Sequence, residues 1–129
     1  SNLAFQLNFF MNYINYSDSI KIIEDIKEKE NIQCFIFRKQ SCPFCDDWFK
    51  NNQKGFDELT KSDFEIYVID TDAESIPFPP LVSPTLYFHH KEFKFPFIRQ
   101  GLLPLLETKK ELNKFVRIKN GETYESVFK

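Results

Sequence analysis

The run Cys42-Pro43-Phe44-Cys45 limits the folds open to this chain more than any other feature. Two thiols at this spacing can close a small disulfide ring with little motion. The stretch before them, Cys34-Phe35-Ile36-Phe37, is short, apolar and β-prone, so it reads as a buried strand. The stretch after them, Asp46 to Leu59, reads as a helix, with Cys45, Trp48, Phe49, Phe56 and Leu59 near one face. The dithiol therefore sits in the loop between a buried strand and the start of a helix.

That position sets the chemistry. Cys42 falls where an N-cap residue would be, and Pro43 at the first helical position, where a missing N–H costs nothing. First-turn N–H groups and the helix dipole then favour the Cys42 thiolate, the attacking species in disulfide exchange. Arg38 and Lys39 upstream pull the same way, whereas Asp46, Asp47 and the donor lost at Pro43 oppose it. The sequence predicts a Cys42 pKa below that of free cysteine, roughly 8.5. Cys45, about one turn further along, is expected to be the more buried thiol and to resolve the mixed disulfide formed by Cys42.

Read in order, the chain predicts a first strand around Phe9 to Ile14 and a helix capped by Ser17 or Asp18. Ile32 to Phe37 is the second strand and Phe64 to Ile69 the third. Residues 70 to 83 are loop-like, with Pro77, Pro79 and Pro80. Thr85 to His89 is a fourth strand, in a hairpin with a fifth through the alternating Phe93, Phe95 and Phe97. Thr108 and Glu111 read as a capping box for a last helix that buries Leu112, Phe115 and Val116 and ends at Asn120-Gly121. Residues 122 to 129 carry no assignable pattern.

The 129 residues are expected to form a single domain, with its core at about residues 9 to 119 and a tail at 120 to 129. The sixteen phenylalanines imply an aromatic-rich core, and a net charge of −2 gives no electrostatic case for nucleic acid or an anionic membrane. No apolar run approaches the ~20 residues of a membrane span. No signal peptide is visible, which favours a cytoplasmic home; Ser1-Asn2 without an initiating Met leaves a removed leader, and export, open. Three cysteines are too few for a disulfide scaffold, and Cys34, inside an apolar strand, reads as a buried inert thiol.

Strand, Cys-Pro-Phe-Cys and helix resemble the active site of the thioredoxin superfamily, and Cys-Pro-aromatic-Cys with a basic residue upstream most resembles glutaredoxins. The resemblance implies an α/β thioredoxin fold, a central mixed β-sheet flanked by helices with an N-terminal β-α extension, over about residues 9 to 119. It implies a monomeric thiol–disulfide oxidoreductase acting on protein or peptide disulfides, fed by an upstream electron donor, with no metal or organic cofactor. In that family a cis-proline at the entrance of a strand faces the dithiol, and Pro84 matches it, so a cis Ser83–Pro84 bond is expected. The Ser83 backbone would then pair with an extended substrate, while Phe44, Phe78, Pro79, Leu81 and Val82 form an apolar rim or simply pack the loop.

The pattern also departs from its relatives. Ser41 stands where thioredoxins usually carry Trp, Ile36 where they carry a buried acid, and no proline occurs between Asp46 and Leu59. The glycine pair and acidic turn with which glutaredoxins hold glutathione are missing from Ile98-Arg99-Gln100-Gly101-Leu102, which argues against glutathione dependence. Zinc would need His89 or His90 beside the cysteines, but neighbouring residues on a strand face opposite ways. A non-catalytic binding or assembly module is the rival reading, since fold alone proves no activity. Reductase, oxidase and isomerase directions stay open, with reduction or general exchange favoured.

Overall fold

The computed structural model describes residues 12–102, 104–105 and 108–129. The first strand, β1, is Asn12–Tyr13. It is continued by an Ile14 amide that donates to the Val68 carbonyl, 3.0 Å away. The part of the expected strand at Phe9 to Met11 lies outside the described residues. Helix α1 spans Tyr16–Glu24 and is followed by a 3₁₀ turn at Ile26–Glu28. Its cap is Asn15 rather than Ser17 or Asp18: the Asn15 side chain accepts from the Asp18 amide, and the Asp18 carboxylate accepts from the Asn15 amide. Asparagine ranks with the best N-caps, and here it comes first in the chain.

Strand β2 is Ile32–Arg38 and β3 is Phe64–Asp70. They pair in parallel from Ile32↔Phe64 to Arg38↔Asp70. Strand β4, Thr85–His89, runs antiparallel to β2, and β5, Phe97–Gln100, antiparallel to β4. The sheet order is β1-β3-β2-β4-β5. The expected fifth strand over Phe93 to Phe97 is displaced toward the C-terminus. Pro96 has no N–H to give a ladder, so pairing begins just after it.

Alternation along β2 sorts the core into two layers. Ile32, Cys34 and Ile36 face one side with Phe64, Ile66, Val68, Leu86 and Phe88. Phe35 faces the other with Tyr67, Ile69 and Ile76. The first side is covered by α2 (Pro43–Asn51), α3 (Gln53–Thr60) and α4 (Lys109–Lys119), which bury Trp48, Phe49, Phe56, Leu112 and Phe115 there. The second side meets α1 and the long loop between β3 and β4. The Glu74 carboxylate pins that loop by accepting from the Tyr16 amide.

The expected continuous helix from Asp46 to Leu59 is two helices. The break falls at Asn52, and Gly55 is buried inside α3. Asn52 is itself buried: its amide nitrogen donates to the Trp48 carbonyl at 2.7 Å, and its oxygen accepts from the Leu105 amide at 2.9 Å. One side chain thus ends a helix and ties down the approach to α4. The expected capping box at α4 does not form. The Thr108 hydroxyl turns back to the Leu105 carbonyl, and Glu111 instead pairs with buried Arg99 at 3.1 Å. Residues Tyr124–Phe128 form a short helix, α5, capped by Thr123, and lay Tyr124 and Phe128 against Phe97.

Candidate functional site

The β2 register brings the dithiol and the β4 entrance to one edge of the sheet. Arg38 ends β2 opposite Asp70, and Phe37 lies opposite Thr85, so the segments 39–42 and 82–84 leave the sheet side by side. Cys42 caps α2 and Pro43 is its first residue. The Cys45 amide donates to the Cys42 sulfur at 3.2 Å, as an N-cap side chain receives the N3 amide. Cys42 and Cys45 are joined in a disulfide, with Cα atoms 5.3 Å apart. Cys42 is half-buried and Cys45 fully buried. The more accessible sulfur is thus the one at the helix N-terminus.

The Ser83–Pro84 peptide bond is cis. Ser83 reaches both halves of the site. Its hydroxyl oxygen accepts from the Lys39 amide at 2.9 Å and lies 3.3 Å from the Cys45 sulfur. Cys45 in the disulfide carries no S–H, so in that contact the Ser83 hydroxyl is the donor. Ile36 packs in the same apolar layer as Cys45. Ser83 thus puts a polar side chain in contact with that sulfur. Its hydroxyl contact was not legible in the sequence, because nothing local links positions 38 residues apart.

Arg38 does not act on Cys42 as a free charge. Its guanidinium is buried, donates to Asp46 at 2.7 Å, and lies over the Phe49 ring, 5.3 Å from the centroid. A basic residue expected to acidify Cys42 and an acidic one expected to oppose it thus neutralise each other. Ser41 is exposed, and its amide and hydroxyl lie within 3.5 Å of the Asp72 carboxylate.

Around the dithiol, Phe44 is 68% exposed, Phe78 99% and Leu81 94%, with Val82 and Pro79 also at the surface. These side chains do not pack the loop; they stand out from it. Phe78 has φ +53°, a left-handed conformation costly for a bulky residue.

Cys34 is buried, and burial pushes its thiol far above the ordinary range. The two histidines diverge. His89 meets the edge of Phe35, whereas His90 contacts Phe93 and bonds to the Glu30 carbonyl and the Glu92 amide. Among the described residues no group of three or more His, Cys, Asp or Glu could hold a metal ion, and no helix is long and apolar enough to cross a membrane.

No protein-family model matches the chain, and no curated protein is similar to it in sequence. Solved structures are similar in fold. A chloroplastic thioredoxin z superposes with a TM-score of 0.63 at 15% identity, over 86% of this chain and 96% of that one. A poplar thioredoxin h gives 0.59 at 16%, over 88% and 98%. A thioredoxin from Thermus thermophilus gives 0.58 at 18%, over 86% and 90%. The chain has a thioredoxin fold: a mixed five-stranded sheet flanked by helices.

Proposed function

We propose that this protein is a thiol–disulfide oxidoreductase that reduces or exchanges disulfides in proteins or peptides, with Cys42 as nucleophile and Cys45 as resolving thiol. The observation that carries the reading is the Cys42 sulfur at the N-cap of α2, joined to Cys45 and 3.2 Å from the Cys45 amide. A sulfur held there is stabilised as thiolate once the pair is reduced.

In the reducing direction, the Cys42 thiolate attacks one sulfur of a client disulfide. A bond forms between Cys42 and that sulfur, the client bond breaks, and the other client sulfur leaves as thiolate and takes a proton. The Cys45 thiol loses its proton and attacks Cys42, which expels the second client thiol. Two electrons have passed to the client, and the protein ends with the Cys42–Cys45 disulfide. An external dithiol donor returns it to the reduced state. The Ser83 hydroxyl, 3.3 Å from the Cys45 sulfur, supports charge on that atom when it ionises. The Ser83 backbone is the pairing edge for an extended client chain, since the Val82 and Pro84 carbonyls are taken by the Thr85 hydroxyl and the Gly101 amide, and exposed Phe44, Phe78 and Leu81 supply apolar contact.

Reduction of insulin by wild type, Cys42→Ser and Cys45→Ser tests the reading. Wild type is expected to reduce insulin with a dithiol donor, and both variants to lose turnover. Activity untouched by Cys42→Ser overturns the assignment. No activity in wild type favours a binding module on the same fold.

A further inference from the structure

We infer that the cavity between α1 and the β3–β4 loop is a docking site for an aromatic side chain of the client polypeptide. This deepens the oxidoreductase reading and rests on it. The cavity measures about 340 Å³, within reach of the roughly 300 Å³ at which ligand pockets begin. Phe35, Phe37, Tyr87 and Ile76 line its floor and wall, with Ile20 and Phe78 at its margin. It exists because residues 71–84 contribute no helix to this side of the sheet. A proline-rich loop spans a face that α1 alone does not cover.

Three features choose the occupant. The lining is mostly apolar and aromatic, which suits a ring more than a charged group. His89 sits in it half-buried, and its ring nitrogens have no hydrogen-bond partner among the described residues, so a polar handle such as an indole N–H finds an acceptor there. Burial also holds the His89 imidazole below its ordinary pKa, which keeps that acceptor neutral.

The third feature is continuity. Pro80, on the cavity margin, is three residues from Ser83, a span of at most about 11 Å of chain. The loop between them carries exposed Leu81 and Val82. A client strand passing the dithiol at Ser83 can therefore place a side chain in the cavity a few residues away. A small disulfide cannot reach both places, so the cavity selects polypeptide clients with an aromatic residue near the cysteine.

The test uses two peptide disulfides, one with Trp four residues from its cysteine and one with Ala there, and bis(2-hydroxyethyl) disulfide as the small substrate. Ile20, 37% exposed at the margin, is changed to Glu, with Ile20→Leu as the conservative control. The expected result is a KM for the Trp peptide about tenfold below that for the Ala peptide in wild type. That advantage disappears in Ile20→Glu, returns in Ile20→Leu, and the small disulfide is reduced equally by all three. Independently, the oxidised wild-type protein is titrated with the Trp peptide bearing Ser in place of Cys, and the His89 ring resonances are followed by NMR. They are expected to shift with the Trp peptide and not with the Ala peptide. Equal KM values for the two peptides, or His89 resonances that ignore the Trp peptide, overturn the inference. Failure of wild type to reduce even the small disulfide overturns the oxidoreductase reading instead, and the NMR titration then decides the cavity alone.

Discussion

The two faces of the sheet are built from alternate residues of the same strands, yet they are finished differently. On one face α2, α3 and α4 close over Ile32, Cys34 and Ile36, and Phe49 and Phe56 pack edge and face against Trp48. On the other, Phe35, Tyr67 and Ile69 meet α1 and a loop, a cavity remains, and Ile98 on β5 is left exposed beside Tyr87. The helix-covered face buries Cys45 completely. The loop-covered face leaves room for something else to bind. The helix-covered face has a smaller cavity of its own, about 210 Å³, lined by Gly55, Phe64 and Leu112.

The largest way to break this comparison is truncation on each face. Phe49→Ala removes a fully buried ring that touches Trp48, Phe56 and Arg38, and is expected to cost about 3–5 kcal/mol. Ile76→Ala, on a face already hollow, is expected to cost about 2 kcal/mol, the low end for such a change. Urea unfolding of both variants checks this, and equal costs would mean the two faces are equally packed.

Ser83→Ala is expected to cost about 1 kcal/mol, because the Lys39 amide loses its acceptor. The same change removes the hydroxyl beside the Cys45 sulfur, so release of the mixed disulfide should slow. Stopped-flow kinetics separates attack from release; slowing of attack alone would contradict the role given to Ser83. Phe78→Gly should leave stability unchanged or raise it by at most about 1 kcal/mol. Glycine tolerates φ +53° and no buried contact is lost. A clear loss in the thermal midpoint would show that the ring packs after all.

The histidines carry the comparison into pH. Burial holds both below the ordinary imidazole value, and for His90 the bond to the Glu30 carbonyl opposes that only in part. The Glu92 amide donates to His90 Nδ1, so the proton sits on Nε2 toward Glu30. With the folded pKa below the unfolded one, the unfolded chain takes up protons first as pH falls. The stabilisation is complete above about pH 6.5 and is lost as pH drops through that value toward the folded pKa. Urea midpoints from about pH 8 to pH 5 should decline, and His90→Gln should flatten the slope. An unchanged slope in His90→Gln would assign the decline elsewhere.

Local chemistry was legible and tertiary choices were not. Cys42 at an N-cap with Pro43 behind it, the strands around Cys34, Ile66 and Leu86, and the opposed directions of His89 and His90 all follow from spacing and period. The break at Asn52 depends on Leu105, 53 residues away, and the lost capping box depends on Arg99 drawing Glu111 off. Neither partner is visible from within a helix pattern. The start of β5 was readable in principle, since Pro96 marks where a ladder can begin. The short helix over Tyr124–Phe128 has too few residues for a period and is set by Phe97. The pairing of Arg38 with Asp46 left the expected electrostatics of Cys42 without a net direction from those two charges.

The division of labour between the two sulfurs is the claim on which the functional account stands, and trapping measures it directly. Cys45→Ser incubated with a peptide disulfide should accumulate one mixed disulfide, located by mass spectrometry of proteolytic fragments at Cys42. Cys42→Ser should accumulate none, because the remaining sulfur is fully buried. An adduct on Cys45 in Cys42→Ser, or none on Cys42 in Cys45→Ser, would contradict it.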